Sequence, residues 1–502
     1  MQESLDFIYN EQKELFTLGK ISALLSWDQM TYMPALGAVE RSEKTAIISK
    51  IIHKKIVSNK LWKHIEILCK SKNFEKLSDR DKNVVSRLKK DVEKARKIPN
   101  DFVERFAKVT TLAYPAWQQA REKSDYNIFS FHLQKIVELE KEYCDYINIP
   151  GPKYNSLLDN FEEGMTFDKL KKEFDFLKYQ LVEILEKIKS SEIYEKQKPF
   201  KKRLNIKEQK KLCELIFDRM LLSKDRVRLD VSTHPFTISI GYDDVRITTN
   251  FERENPLFSF FSTIHEAGHA LYELGLPRDK FKDTVISDAP SLGLQESQSR
   301  FWENMIARSK SFWKFFYPIL RKTSSKKFNN LSMEKWYRYI NQVKPSLIRV
   351  EADELTYCLH IILRFEIEND LINDKINVKE LPVVWNAKIK EMLDVIPKND
   401  KEGVLQDMHW SGGSFGYFPT YSIGNIYASQ LFKKLCEVKQ NIFFDIEKGD
   451  FSNIINWLRE HVHKYGRLMT ADDIIKKSCG EGLNSKVFID YLKDKYFELY
   501  EI

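Results

Sequence analysis

Residues 265–269 read HEAGH, inside the longer run FSTIHEAGHALYELG. Ten histidines occur in 502 residues, and two of them, His265 and His269, stand four apart with Glu266 directly after the first. Four residues of helix turn through about 400°, so both imidazoles point nearly the same way and can grip one ion. Zinc favours such nitrogen ligands, and its catalytic sites use three protein ligands and keep one position open. Glu266 projects about 100° from that face. This direction suits a general base that takes a proton from water at the open position better than it suits a third ligand. Phe261, Ile264, Ala270 and Leu271 flank the motif and supply the apolar surface of a buried helix. The competing structural reading is a core helix that carries two satisfied histidines.

A third ligand needs a second helix packed on the first. After a turn-rich stretch at 275–293 comes LGLQESQSRFWENMIARS, in which Leu294, Ser297, Phe301, Met305 and Arg308 form a helical stripe. Glu296 falls in the first turn, where a helix N-terminus favours a carboxylate. His265, His269 and Glu296 with a vacant fourth position make the donor set of a zinc hydrolase. On spacing alone Glu303 is a rival for the third place.

The elements that must position these groups are helical almost throughout. Leu212, Leu215, Ile216 and Met220 follow helical spacing, as do Leu359, Ile362, Leu363 and Ile367. Gly and Pro are scarce, 17 and 15 in all, and cluster at 275–293 and 411–424. No internal repeat or flexible linker is apparent, which points to one continuous helical body over residues 1–502. One segment breaks the helical period. In FTISIGYDDVRITT, at 236–249, Ile238, Ile240, Val245 and Ile247 alternate with polar or small residues around Gly-Tyr-Asp-Asp, the pattern of a β-hairpin. An edge strand beside a metal site can hold an extended peptide by main-chain hydrogen bonds.

Composition narrows the partners. Apolar residues at 42% and charged residues at 31% are ordinary for a globular chain. Lys plus Arg exceed Asp plus Glu by 81 to 73, a mild excess that argues against nucleic acid as a partner. The basic run PFKKR at 199–203 reads as a solvated face. Six scattered cysteines include no CxxC pair, which excludes a cysteine-rich zinc module and fits a reduced, cytoplasmic setting. The acidic start MQESLDFIYNEQKE lacks the form of a signal peptide, and no apolar run is long enough for a membrane span.

Further stretches carry a family resemblance. STHPF at 232–236, Asp244-x-Arg246-x-Thr248, QESQSR, IRVEADELTY at 348–357 and GVLQDMHW at 403–410 followed by GYFPTY all resemble motifs of the carboxypeptidase Taq family of zinc metallocarboxypeptidases, as does LLSWDQMTYMP at 24–34. The resemblance implies a mainly α fold, a large helical HExxH metallopeptidase with two lobes flanking a deep substrate groove and a small hairpin or sheet beside the metal. It implies His265, His269 and Glu296 as ligands of one Zn2+ per chain, with Co2+ as a substitute, and Glu266 as catalytic base. It also implies removal of single residues from peptide C-termini, and commonly a homodimer. One departure is Gln295, where the family usually has His beside the ligand glutamate. An amide there donates and accepts but cannot titrate.

Chemistry then suggests roles for other residues. His409, Tyr417 and Tyr421, in or near the Gly-rich stretch, are candidates to stabilise the oxyanion. Arg246 and Arg349 have the planar fork that binds a free C-terminal carboxylate, and His234 is a candidate to assist. Asp353 and Asp407 are candidates to orient the ligand imidazoles or to sit in ion pairs, and Cys358 reads as core. Two alternatives share the helical fold: an HExxH oligo-endopeptidase, and an inactive helical interaction protein.

Overall fold

The computed structural model describes residues 1–198, 203–324 and 327–502. The basic run at 199–203 therefore lies, apart from Arg203, outside the described residues. Helices dominate, as the periodicity predicts. One continuous apolar core runs from Leu133 through Ile264, Phe301 and Leu363 to Ile423 and Leu492. The N-terminal helices close a smaller core of their own, built on Leu5, Ile8, Leu61, Ile65 and Leu88. No described helix is long and apolar enough to cross a membrane.

The predicted hairpin is present as β2 (Thr237–Gly241) and β3 (Asp244–Thr249), paired antiparallel with Thr237 opposite Ile247. A third strand, β1 (Val227–Val231), pairs parallel with β3 and gives the order β1-β3-β2. This strand escaped the sequence reading because parallel pairing joins segments with no local turn signal. Val245 and Ile247 of β3 are fully buried, so this central strand anchors the sheet to the core. β2 is left at the edge. The long N-terminal helix, Gln2–Thr31, reaches it through Lys20, whose Nζ donates to the Ser239 carbonyl at 2.9 Å.

Four helices carry the residues of interest. The His265 helix spans Pro256–Gly275 and opens on proline, which fits a first turn because its missing N–H has no partner there anyway. The Glu296 helix spans Leu292–Arg300, and its N-cap Ser291 hydroxyl accepts the Leu294 N–H at 3.0 Å. It runs on into a π-helical turn, Phe301–Ile306. The Arg364 helix spans Tyr357–Ile372 and the Tyr421 helix Pro419–Val438. Two glycines clamp the Glu296 helix. A Cβ on Gly268 would lie 2.7 Å from the Gln298 carbonyl oxygen, and one on Gly424 would lie 2.6 Å from Glu296 Cγ. Both neighbours approach so closely because neither glycine has a side chain.

Candidate active site

The helical face bearing HEAGH turns inward against the Glu296 helix. His265 Nε2 lies 3.7 Å from Glu296 Oε2, and His269 Nε2 lies 3.5 Å from the same oxygen. Bonds of about 2.0–2.2 Å from a tetrahedral ion set its donors roughly 3.4 Å apart, so the three atoms fit one ion. The rest of Glu296 is fixed from behind. Arg300 Nε donates to Oε1 at 2.7 Å, which leaves Oε2 presented to the rings. Burial alone would raise the Glu296 carboxyl, but Arg300 and the two imidazoles hold it well below the usual carboxylate range.

Glu303 is not the third donor to this cluster. It sits in the π-helical turn and its Oε2 meets His265 Nδ1 at 2.9 Å, on the far side of the ring. Nδ1 carries the proton in such a pair, so Nε2 keeps its lone pair for an ion. Arg300 Nη1 and Arg308 also approach Glu303. Burial opposes its charge, yet Arg300 and His265 pull its carboxyl down to about 2.

Glu266 points elsewhere, as its place on the helix requires. Its Oε2 accepts the Thr237 hydroxyl at 2.6 Å, so edge strand β2 orients this carboxylate. Thr237 was invisible as a site residue in the sequence, because nothing local links position 237 to position 266.

A chain of aromatic and cationic groups leads away from Glu296. The Arg300 guanidinium lies 4.6 Å from the Tyr357 ring centre, and Arg349 Nη1 donates to the Tyr357 hydroxyl at 3.0 Å. Arg349 also lies 5.1 Å from the Tyr421 ring. Tyr421 packs on Tyr417, and Tyr417 on His409, with ring centres 5.4 and 5.3 Å apart. Burial raises both tyrosine hydroxyls, so they stay protonated donors. Burial lowers His409 to about 4, with Arg349 and Arg364 adding to the effect, so its imidazole is neutral near pH 7. The structure thus brings Arg349, Tyr421, Tyr417 and His409 together beside Glu296. Among the described residues, no hydrogen bond or ring contact joins His234 or Arg246 to that chain. His234 lies exposed between β1 and β2. Arg246 pairs with Asp244 at 2.8 Å and stacks on Trp27 at 4.1 Å.

Neither aspartate orients a ligand imidazole, and of the two it is Asp407 that takes the other expected role, in ion pairs. Asp407 joins Arg349 and Arg364, at 2.7 and 2.5 Å, and reaches neither His265 nor His269. Asp353 accepts backbone N–H groups of Lys344, Leu355 and Thr356 and shapes the turn before the Arg364 helix. The partner of His265 is Glu303 instead. Gln295 donates to Glu273 at 2.9 Å, away from the three ligand atoms. Cys358 is buried core.

Fold and site together define a helical metallopeptidase: an HExxH helix, a downstream glutamate, and one small sheet beside them. The match to family models is specific. Residues 7–496 match carboxypeptidase Taq (M32) metallopeptidase, and the chain belongs to that family, as a metallocarboxypeptidase. Carboxypeptidase 1 of Bacillus subtilis (strain 168) is 37% identical over 500 residues, covering 98% of this chain and 99% of that one. Thermostable carboxypeptidase 1 of Pyrococcus furiosus is 35% identical, covering 98% of each. The crystal structure of M32 carboxypeptidase from Deinococcus radiodurans R1 superposes with a TM-score of 0.95 at 32% identity over the whole of both chains. A divalent metal follows from the family and from the cluster of His265, His269 and Glu296.

Proposed function

We propose that this chain is a zinc-dependent exopeptidase that cuts single residues from free peptide C-termini. The observation that supports it most is the convergence of two Nε2 atoms on Glu296 Oε2 while Glu266 is turned aside and held by Thr237. An ion bound there supplies Lewis acidity and makes a neighbouring water acidic enough to attack near neutral pH. Glu266 takes the proton from the attacking water and passes it to the departing amine. Tyr417, Tyr421 and neutral His409 donate hydrogen bonds to the oxygen on which charge develops.

Arg349 has the chemistry to hold the substrate carboxylate. Its Nε and Nη2 bind Asp407 and its Nη1 binds Tyr357, which leaves a further N–H on each Nη. Arg246 and His234 stand beside β2 and serve the same substrate from the sheet side. Zinc as the native ion, with cobalt as a working substitute, belongs to this reading, as do a cytoplasmic setting and a homodimer. All six cysteines are free thiols, in keeping with that setting.

A time course on peptides with free and amidated C-termini, read by mass spectrometry with and without chelator, tests the proposal. Loss of one residue at a time from the free form, none from the amidated form and none with chelator is expected. Internal cuts in the amidated peptide would make the enzyme an oligo-endopeptidase. Metal-loaded protein without hydrolysis of either peptide would make it an inactive interaction protein. Glu266→Gln should abolish turnover while elemental analysis still finds the ion.

A further inference from the structure

Glu368 lies on the Arg364 helix, fully buried, and has no part in the chemistry described so far. Three donors converge on its carboxylate. Trp410 Nε1 donates to Oε1 at 2.7 Å, while the Gly416 N–H and the Tyr154 hydroxyl donate to Oε2 at 2.8 and 2.6 Å. Two of these donors bracket one loop. Trp410 directly follows His409, and Gly416 directly precedes Tyr417. A single carboxylate therefore grips both ends of the loop that those two residues flank.

Among the described residues, the loop has no second anchor of that kind. Gly413 and Gly416 have φ of +74° and +85°, which only glycine adopts without strain. A Cβ on Gly416 would lie 2.7 Å from the Leu157 backbone. Glu140 faces the loop at Gly413 from the Asn127–Ile147 helix, but among the described residues its Oε1 has no hydrogen-bond partner.

We infer that Glu368 is a positioning residue for hydrolysis, clamping the 410–416 loop so that His409 and Tyr417 stand where the oxyanion forms. The inference rests on the reading that His409 and Tyr417 face the substrate. It also explains why an acid is needed. A glutamine has one acceptor oxygen, so either orientation of its amide points N–H at the Trp410 indole N–H or at the Gly416 N–H.

The test uses the full-length, metal-loaded enzyme. In Glu368→Gln, kcat should fall about ten-fold, with KM and bound metal little changed, because one buried donor loses its partner. Adding Trp410→Phe removes the opposed indole N–H and lets the amide oxygen take Gly416. The double variant should regain about three-fold in kcat over Glu368→Gln, a coupling that a general loosening of the fold does not produce. Tyr417→Phe and His409→Gln are measured alongside. If both lose activity while Glu368→Gln keeps full kcat, or if the second substitution only lowers kcat further, the clamp is overturned and the oxyanion reading stands. If Tyr417→Phe and His409→Gln are fully active, that reading falls and the inference falls with it. Should Glu368→Gln fail to fold, Trp410→Phe alone carries the test, with a loss of about three-fold in kcat expected and an unchanged kcat overturning the clamp.

Discussion

His265 Nδ1 and Glu303 Oε2 stand 2.9 Å apart, so the first histidine of HEAGH is oriented by a residue 38 positions downstream. That contact decides between two glutamates on one helical run. Glu296 faces the Nε2 atoms, and Glu303, two turns on, faces the back of a ring. The π-helical turn that holds Glu303 shifts its register relative to a regular helix, a distortion frequent at functional sites.

Glu303→Gln should therefore weaken metal binding without removing a ligand. The neutral amide no longer fixes the tautomer of His265, and such outer partners contribute about 10- to 100-fold in affinity. Competition against a chelator of known affinity measures the loss. A dissociation constant equal to that of the unmodified protein would show that Glu303 serves only its arginine partners, Arg300 and Arg308.

Asp407 carries a different burden. It sits between Arg349 and Arg364, and the Arg364 side chain is fully buried. Asp407→Asn leaves two buried cations facing a neutral amide, and breaking such a buried pair costs about 3–5 kcal/mol. Urea unfolding should show a loss of this size. A change under about 1 kcal/mol, as for an exposed pair, would mean that solvent reaches the cluster.

The contrast among these residues explains what was legible in the sequence. HEAGH, the Glu296 helix and the β2–β3 hairpin are each written within a short window, where helical or alternating spacing fixes which side chains share a face. Glu296 and Arg300 are four apart, so even their ion pair is local. Thr237 with Glu266, and Asp407 with Arg364, are joined only by the packing of separate elements. Asp407 lay in a recognisable motif, yet the motif could not say that its partners are arginines and not imidazoles. β1 was missed for the same reason, since its partner strand lies beyond β2.

Glu162 predicts a pH effect on stability. It accepts the Gly293 N–H at the start of the Glu296 helix, and burial pushes its carboxyl up to about 8 despite that bond and one from Ser291. The folded chain therefore holds a proton that the unfolded chain releases above the ordinary value of 4.5. The resulting stability is complete below 4.5 and is lost as pH rises through about 8. Glu162→Gln keeps an acceptor for Gly293 and does not titrate. Its melting temperature should fall less across that window than that of the parent, and parallel profiles would refute a protonated Glu162.

The two glycines against the Glu296 helix separate its placement from the stability of the fold. Gly268→Ala drives a methyl group into the Gln298 carbonyl and the Ser299 Cα, both backbone, which can retreat only if the two helices move apart. Overpacking of this kind costs about 1–3 kcal/mol, and separating the helices widens the gap between the imidazoles and Glu296. Gly424→Ala instead meets Glu296 Cγ and Cβ at 2.6 and 2.8 Å, so the ligand side chain itself takes the strain. Both variants should bind metal more weakly. Gly268→Ala should also lose stability in the metal-free protein through parted helices. Gly424→Ala should lose relatively more affinity for each degree of melting temperature. Measuring metal affinity and metal-free melting temperature on the pair checks this, and full affinity in Gly424→Ala would mean that Glu296 has room to give way without leaving the ion.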